Sequence, residues 1–260
     1  MSTSQAKESN ELRRIVIPVA TVAVLLVVWE AVVRLGVVPN FLLPSPTQVI
    51  AALIGDAPLL ATHAMTTIAE SVLGLAIGVA VGFVAAVLMD RFEVVYLAFD
   101  PLITISQTIP TVAIAPLLVL WFGYGLAPKV ILIVLTTFFP IAVSLVSGFR
   151  AIDPDMVDLM RTMGASDLQV FMQVKLPGAL EQFFSGLRIS ATYAIVGAVI
   201  SEWLGGFSGL GVYMTRVRKS FAYDRMFAVI ILISVLSLAL MRLVDLLERV
   251  CMPWKHVERE

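Results

Sequence analysis

Four acidic side chains stand in or next to long apolar stretches, where an ionised group is costly and usually faces a water-filled cavity or a partner on another helix. They are Glu30, Glu70, Asp100 and Glu202. Arg34 follows Glu30 by four residues, which predicts a local ion pair along one helix face. Glu202 has no base three or four residues away, so it is the sharpest candidate for a functional acid. The alternative is that Glu202 only ties two helices together.

A second candidate region contains Gln107, Pro110 and Pro116 in a stretch without charged residues. Each proline removes a backbone donor, and free carbonyls inside a membrane are tolerated only against protein or water. The prolines therefore predict either a broken helix that lines a substrate pathway or a kinked helix that only packs. The residues expected on such a pathway, between the third and fifth apolar spans, are Gln107, Pro110, Glu202 and Trp203.

Signatures of catalysis, nucleotide binding and metal binding are absent from the sequence. It contains no GxxxxGK[ST] motif and no Gly-Lys pair, so a P-loop is excluded. The two histidines, His63 and His256, are far apart, and Cys251 is the single cysteine, which excludes an internal disulfide. The net charge of −1 predicts no nucleic-acid partner. We expect no enzymatic activity, no metal and no cofactor bound by this chain.

The composition requires lipid as a second apolar solvent. Hydrophobic residues make up 59% and charged residues 14% of the 260 residues, against about 45–50% and about 25% in soluble proteins. A helix needs about 20 apolar residues to cross a bilayer. Six such helices are predicted, which makes the fold class an all-α polytopic membrane protein. They cover about residues 15–29, 68–89, 94–121, 130–149, 189–204 and 226–247.

Two connections between the predicted spans are too polar to cross a membrane. The first, residues 37–63, contains an amphipathic run at 49–60 that predicts a helix on the outer surface. The second, residues 150–186, has apolar residues at helical spacing, which predicts a folded cytoplasmic element with two helices. Pro154 marks the first turn of this element, and Gly164 marks the break between its helices.

Gly74, Gly78 and Gly82 form a GxxxGxxxG series in the second span. Glycines four residues apart lie on one helix face and let another backbone approach closely. We expect this face to pack against another helix of the same subunit.

The distribution of lysine and arginine favours an orientation with both termini in the cytoplasm. A basic cluster on the predicted outer side departs from this bias and is interpreted as a solvated helix face. Its members are Arg216, Arg218, Lys219 and Arg225.

The connection between the fourth and fifth spans resembles the "EAA" loop of binding-protein-dependent ABC importer permeases. That pattern has an acid and two alanines, then Gly-Ala, and later Leu-Pro. Here the acid is Asp158 and the two alanines are replaced by Leu159 and Met160, while the later pairs are retained as Gly164-Ala165 and Leu176-Pro177. Further agreement at 42–46, 109–110, 202–203 and 209–211 extends the resemblance from about residue 15 to the C-terminus.

The resemblance implies the transmembrane domain of a type I ABC importer in a bacterial inner membrane. It further implies a second permease copy, ATPase subunits that use ATP and magnesium, and an external or lipid-anchored binding protein. The residues it assigns to ATPase coupling are Asp158, Leu159, Met160, Gly164, Ala165, Leu176 and Pro177. The corresponding segments are a cytoplasmic tail (1–14), a first helix with an external amphipathic segment (15–66), a permease core (67–249) with its coupling loop (150–186), and a cytoplasmic C-terminal tail (250–260).

Within this family, the segments at 106–110, 138–141 and 197–203 are most similar to permeases for thiamine-pyrimidine precursors or riboflavin. Importers of sulfonates, taurine or nitrate are the alternative. A proton-coupled secondary transporter is the alternative class, but such proteins usually contain two repeated halves, and the sequence shows no internal repeat.

Overall fold

The structure, a computed structural model, describes residues 2–254, with side chains described from residue 16 onward, and the regular elements in that range are all helical. The helices in chain order are α1 (Ser2–Arg34), α2 (Pro46–Gly55), α3 (Ala57–Arg91), α4 (Glu93–Ser106), α5 (Thr111–Phe122), α6 (Leu126–Arg150), α7 (Pro154–Thr162), α8 (Asp167–Val170), α9 (Leu176–Gly205), α10 (Leu210–Lys219) and α11 (Tyr223–Cys251). A π-helical turn, Phe171–Lys175, joins α8 to α9. The prediction of an all-α protein is confirmed.

Within the described part of the chain, five helical segments are long and apolar enough to cross a membrane. They are Val16–Arg34, Ala57–Arg91, Leu126–Arg150, Asp167–Gly205 and Tyr223–Cys251. Helices α4 and α5 pass the same test only as a pair, and the pair is bent by 99° at its break. The third predicted span is therefore a broken helix, and counting it as one span gives six.

The outer helix predicted at 49–60 is shorter than expected. It ends at Gly55, and α3 begins at Ala57. Proline 58 explains the break, because its nitrogen has no hydrogen to donate to the carbonyl of Ile54 and the residue is tolerated in the first turn of a new helix.

The cytoplasmic element predicted at 150–186 also ends earlier than expected. Helix α9 begins at Leu176 and continues into the fifth predicted span. Pro177 lies in its first turn and cannot donate the usual hydrogen bond four residues back. The chain accommodates this with a π-helical turn, in which the Leu176 N–H donates to the carbonyl of Phe171.

Helices α6 and α9 contribute most of the buried core of the larger of two compact units, Ala61–Tyr213 with Leu232–Glu260. The glycine series of α3 lies against α6 at successive four-residue steps. A Cβ atom on any of the three glycines would collide with an α6 side chain, so only glycine permits this approach. The contacting pairs are Gly74 with Ile133, Gly78 with Thr137, and Gly82 with Ile141.

The smaller unit comprises Met1–Leu60 and Met214–Ile231. Glu30 accepts hydrogen bonds from Arg34 Nε at 2.6 Å and from the backbone N–H of Thr47 at 3.1 Å. The acid therefore makes the expected local ion pair and also anchors the first turn of α2. All four members of the basic cluster are exposed, and its member Arg225 pairs with Asp56 at 3.3 Å.

The two predicted cytoplasmic tails fall partly outside the described residues. Side chains of the 1–14 tail lie outside them, as do residues 255–260 of the 250–260 tail, including His256.

Candidate functional site

The break between α4 and α5 is produced by Pro110. It has no N–H to extend α4, and it disfavours helical geometry at the preceding residue, Ile109. The chain leaves α4 through tight turns in which Thr108 N donates to Ile105 O at 3.0 Å and Ile109 N to Ser106 O at 3.2 Å. Pro110 then adopts an extended conformation before α5 begins.

A cavity of about 370 Å³ opens at this break. Its lining residues are Ser106, Gln107, Ile109, Pro110, Thr111, Thr136, Phe139, Pro140 and Tyr193. The structure thus brings together Gln107 and Pro110, two of the four residues predicted on the pathway, and adds residues from α6 and α9.

The lining of the cavity mixes polar and apolar residues and carries no charged side chain. Tyr193 and Phe139 supply aromatic rings, and Gln107 supplies an amide that can both donate and accept hydrogen bonds. The amide makes only a long bond, from Nε2 to the carbonyl of Ile103 at 3.4 Å. Such a site suits a neutral, partly aromatic solute that can stack and hydrogen-bond at once.

Glu202 and Trp203 do not line this cavity. Trp203 lies at a separate, smaller cavity of about 220 Å³ with Tyr124 and the end of α9. Glu202 is fully buried and accepts hydrogen bonds from Thr67 Oγ1 at 2.7 Å and from the backbone N–H of Gly211 at 2.6 Å. The structure thus gives Glu202 a cross-helix partner, and its pathway role remains a prediction.

A buried ion pair adjoins Glu202. Lys129 of α6 donates to Glu70 of α3 at 2.5 Å, and both side chains are buried. Thr67 and Glu70 lie on one face of α3, one turn before the glycine series, so these residues extend the contact between α3 and α6. Glu70 is among the acids that the sequence singles out, whereas Lys129 and Thr67 are not. The four-residue spacing from Glu70 to Gly74 was the available signal.

The predicted coupling segment begins with α7, a short helix fixed by local caps. Asp153 caps its start by accepting a hydrogen bond from Asp155 N at 2.9 Å. At its end, Ala165 N donates to Met160 O at 3.0 Å and Gly164 N to Arg161 O at 2.9 Å. This is a Schellman motif, and it requires the positive φ of +85° at Gly164. Met160, Gly164 and Ala165 are thereby brought together.

One face of α7 is apolar and uncovered. Met156 and Leu159 of α7, and Met163 directly after its end, are spaced by three and four residues and are all exposed, and α7 has no buried residue. Asp158 lies beside this face, more than two-thirds exposed, 3.9 Å from Arg161. A three-residue apolar stripe on a polar helix is typical of a surface that docks into a groove of another protein.

Ion pairs connect the segment that follows α7 to the end of α3. Asp167 pairs with Arg91 at 2.9 Å, and Lys175 pairs with Asp90 at 2.8 Å. The predicted residues Leu176 and Pro177 follow directly, in the first turn of α9. The segment is therefore attached to two helices of the larger unit.

Residues 78–250 match the model of a protein family described as "Binding-protein-dependent transport system inner membrane component". A probable ABC transporter permease protein from Haemophilus influenzae is 39% identical to the chain over 232 residues, covering 89% of the chain and 95% of the relative. The formylaminopyrimidine transport permease protein ThiX from Halalkalibacterium halodurans is 38% identical over 232 residues, covering 89% and 92%.

A more distant relative and a solved structure agree with these matches. A putative aliphatic sulfonates transport permease protein, SsuC from Bacillus subtilis, is 30% identical over 239 residues, covering 90% of the chain and 86% of the relative. A chain from an inward-facing structure of the MetNI methionine ABC transporter superposes with a TM-score of 0.64 at 20% identity, covering 75% of this chain and 97% of that one. The structural likeness shows a shared fold.

Proposed function

Because the chain belongs to the family of binding-protein-dependent transport system inner membrane components, and is thus the permease subunit of an ABC importer, we propose that it carries a neutral aromatic solute through the cavity at the α4–α5 break. The resemblance identified from the sequence is confirmed. The chain is a multi-pass transport subunit of the bacterial inner membrane. The observation that carries the proposal is the uncharged, aromatic and amide-bearing lining of that cavity.

The solute class is supported by chemistry and by similarity. Gln107 can match the hydrogen-bonding edge of a heteroaromatic ring, and Tyr193 and Phe139 can stack on its faces. The relative named for formylaminopyrimidine transport is more similar in sequence than the one named for aliphatic sulfonates. A sulfonate carries a fixed negative charge, and no cation lines the cavity. We therefore place a thiamine-pyrimidine precursor or a riboflavin-like compound first, and sulfonates, taurine or nitrate second.

The energy for transport comes, in this proposal, from partner ATPases that bind ATP and magnesium. The apolar face of α7 docks into a groove on the ATPase. Because ion pairs connect the following segment to α3 and because α9 continues from it, a movement of α7 would shift both helices. Such a shift would open the cavity alternately to the two sides of the membrane.

Two further parts of the proposal concern assembly and orientation. A second copy of the chain completes the permease, an external binding protein delivers the solute, and both termini lie in the cytoplasm.

Cys251 is exposed and is the single cysteine, so it reports the side of the C-terminal end directly. We expect an impermeant thiol reagent to label it in inside-out vesicles and not in intact cells. The reverse pattern would contradict the orientation.

Reconstitution of the permease with its ATPase and binding protein in proteoliposomes tests the function. We expect ATP-dependent uptake of formylaminopyrimidine and little uptake of taurine at equal concentration.

Leu159→Asp should abolish ATPase binding, because it places a charge in the docking face. Leu35→Asp, at a residue that is also exposed but directly follows the end of α1, serves as the matched control. Uptake of taurine alone would contradict the solute class, and full ATPase binding by Leu159→Asp would contradict the docking face.

A further inference from the structure

We propose that Glu70 and Glu202 share a single proton, so that together with Lys129 they form an electrically neutral triad buried within the membrane-spanning helices. The exposed fractions of the three residues are 5% for Glu70, 1% for Glu202 and 6% for Lys129. Three ionisable groups this deeply buried must balance their charges among themselves, because an uncompensated charge is costly in the low-dielectric interior.

The hydrogen bonds of the triad leave one position for a proton. Lys129 Nζ donates to Glu70 Oε1 at 2.5 Å. The other oxygen, Glu70 Oε2, is buried, and the described residues place no N–H or O–H donor beside it. Thr67, one turn before Glu70 on the same face of α3, donates to Glu202 Oε1, so the Glu202 carboxyl lies next to Glu70. Two neighbouring buried carboxylates beside a single ammonium group are not both stable in the ionised form, and a proton on Glu202 supplies the donor that Glu70 Oε2 lacks.

Glu202 keeps its hydrogen bonds to Thr67 and Gly211 when it carries the proton. Glu202 Oε1 accepts from Thr67 Oγ1 at 2.7 Å, and Oε2 accepts from Gly211 N at 2.6 Å. A protonated carboxyl oxygen can still accept one hydrogen bond while it donates another. The proton thus adds the missing donor for Glu70 without displacing either existing partner.

The other titratable groups packed around the triad do not supply the missing charge. His63 Nδ1 accepts a hydrogen bond from Gly209 N at 3.0 Å, so that nitrogen carries no proton and the imidazole is neutral. The ring of Tyr213 lies 5.7 Å from that of His63 and is neutral at ordinary pH. With both acids ionised the triad would carry a charge of −1, and with one proton its net charge is zero.

The shared proton explains how Glu202 is held without a base on its own helix. The shared proton links α3, α6 and α9 in one hydrogen-bond network. The hydrogen bond between Glu202 and Gly211 extends that network to the first turn of α10. The glycines at 209 and 211 make this approach feasible, since a Cβ on either would press against the Glu202 side chain. The proton has a structural role, and the proposal does not depend on the identity of the solute.

Infrared difference spectroscopy of the assembled complex in nanodiscs at neutral pH tests this inference. We expect the wild type to show a C=O stretching band of a protonated carboxylic acid that shifts in D₂O. Glu70→Gln and Glu202→Gln should each abolish that band, because the remaining carboxylate then pairs with Lys129 alone. Asp245→Asn, at a partly exposed acid that pairs with Arg188, should leave the band unchanged.

Two outcomes would overturn the proposal. One is a wild-type spectrum without a protonated-acid band, or a band that survives in either glutamine variant. The other is failure of Glu70→Gln to assemble. Glutamine at that position can accept from Lys129 through its oxygen and donate to Glu202 through its amide nitrogen, so the proposal requires this variant to assemble.

Discussion

The cavity at the α4–α5 break and the triad of Glu70, Lys129 and Glu202 belong to the same compact unit, yet they handle polarity in opposite ways. The cavity is open, and its polar groups are neutral hydroxyls and an amide. The triad is closed, and its charged groups are fully buried and bonded across helices. The difference fits the proposed roles, in which neutral polar groups line the solute pathway and buried charge holds helices together.

The largest expected effect comes from breaking the triad. Lys129→Met removes the one cation beside two buried acids, and breaking a buried pair costs about 3–5 kcal/mol. We expect the variant to lose most of its folded, ATPase-bound complex, measured by size-exclusion yield in detergent. Lys219→Met makes the same change at an exposed residue of the basic cluster and should retain a normal yield. A stable Lys129→Met complex would remove the contrast between the two regions.

A smaller effect is expected at the end of α7. Gly164→Val forces a β-branched residue into a left-handed conformation, at a cost of about 1–2 kcal/mol. No atom lies within 4 Å of the added Cβ, so the strain is conformational only. We expect a folded permease whose ATP-driven uptake falls at least several-fold.

Gly55→Val is the matched control, because Gly55 also has open space around it but no positive φ. Uptake should remain near the wild-type rate in this variant. If Gly164→Val transported solute normally with its ATPases attached, the capped end of α7 would have no part in coupling.

The smallest effect is expected at an exposed ion pair. Arg91→Gln removes the bond to Asp167, and both side chains are more than half exposed. Exposed pairs contribute about 0–1 kcal/mol, so the melting temperature of the complex should change little. If Arg91→Gln lowered the yield of the complex as much as Lys129→Met, burial would not be what makes the triad important for assembly.

The sequence predicts these regions to different degrees because their contacts span different distances along the chain. Pro154 and the glycine at 164 act on their immediate neighbours, so the start of α7 and the break after it could be predicted from the sequence, whereas the start of α9 at Leu176 could not. Glu70 and Lys129 are 59 residues apart, and Thr67 and Glu202 are 135 residues apart. The spacing from Glu70 to Gly74 places Glu70 on the packing face of its helix, but no local pattern identifies which residue on another helix it pairs with.

The glycine series and the proline break could be predicted from the sequence only in part. The glycine series predicted a close helix contact, but only the structure identifies α6 as the partner. The prolines at 110 and 116 predicted a broken or kinked helix, and the structure shows the break at 110 with a bend of 99°. The angle depends on how α5 packs, and that information is spread over the whole unit.

Paired substitutions in the two regions test the central claim most directly, with uptake of formylaminopyrimidine, ATPase activity and complex yield measured on the same preparations. Gln107→Leu should reduce uptake at least several-fold while the complex assembles and hydrolyses ATP normally, because only the hydrogen-bonding group of the cavity is lost. Glu202→Ala should instead lower the yield of the complex, because it removes the buried bonds from Thr67 Oγ1 and the Gly211 N–H that join α9 to α3 and α10. Normal uptake by Gln107→Leu, or a fully assembled and ATP-hydrolysing Glu202→Ala complex without uptake, would contradict the account.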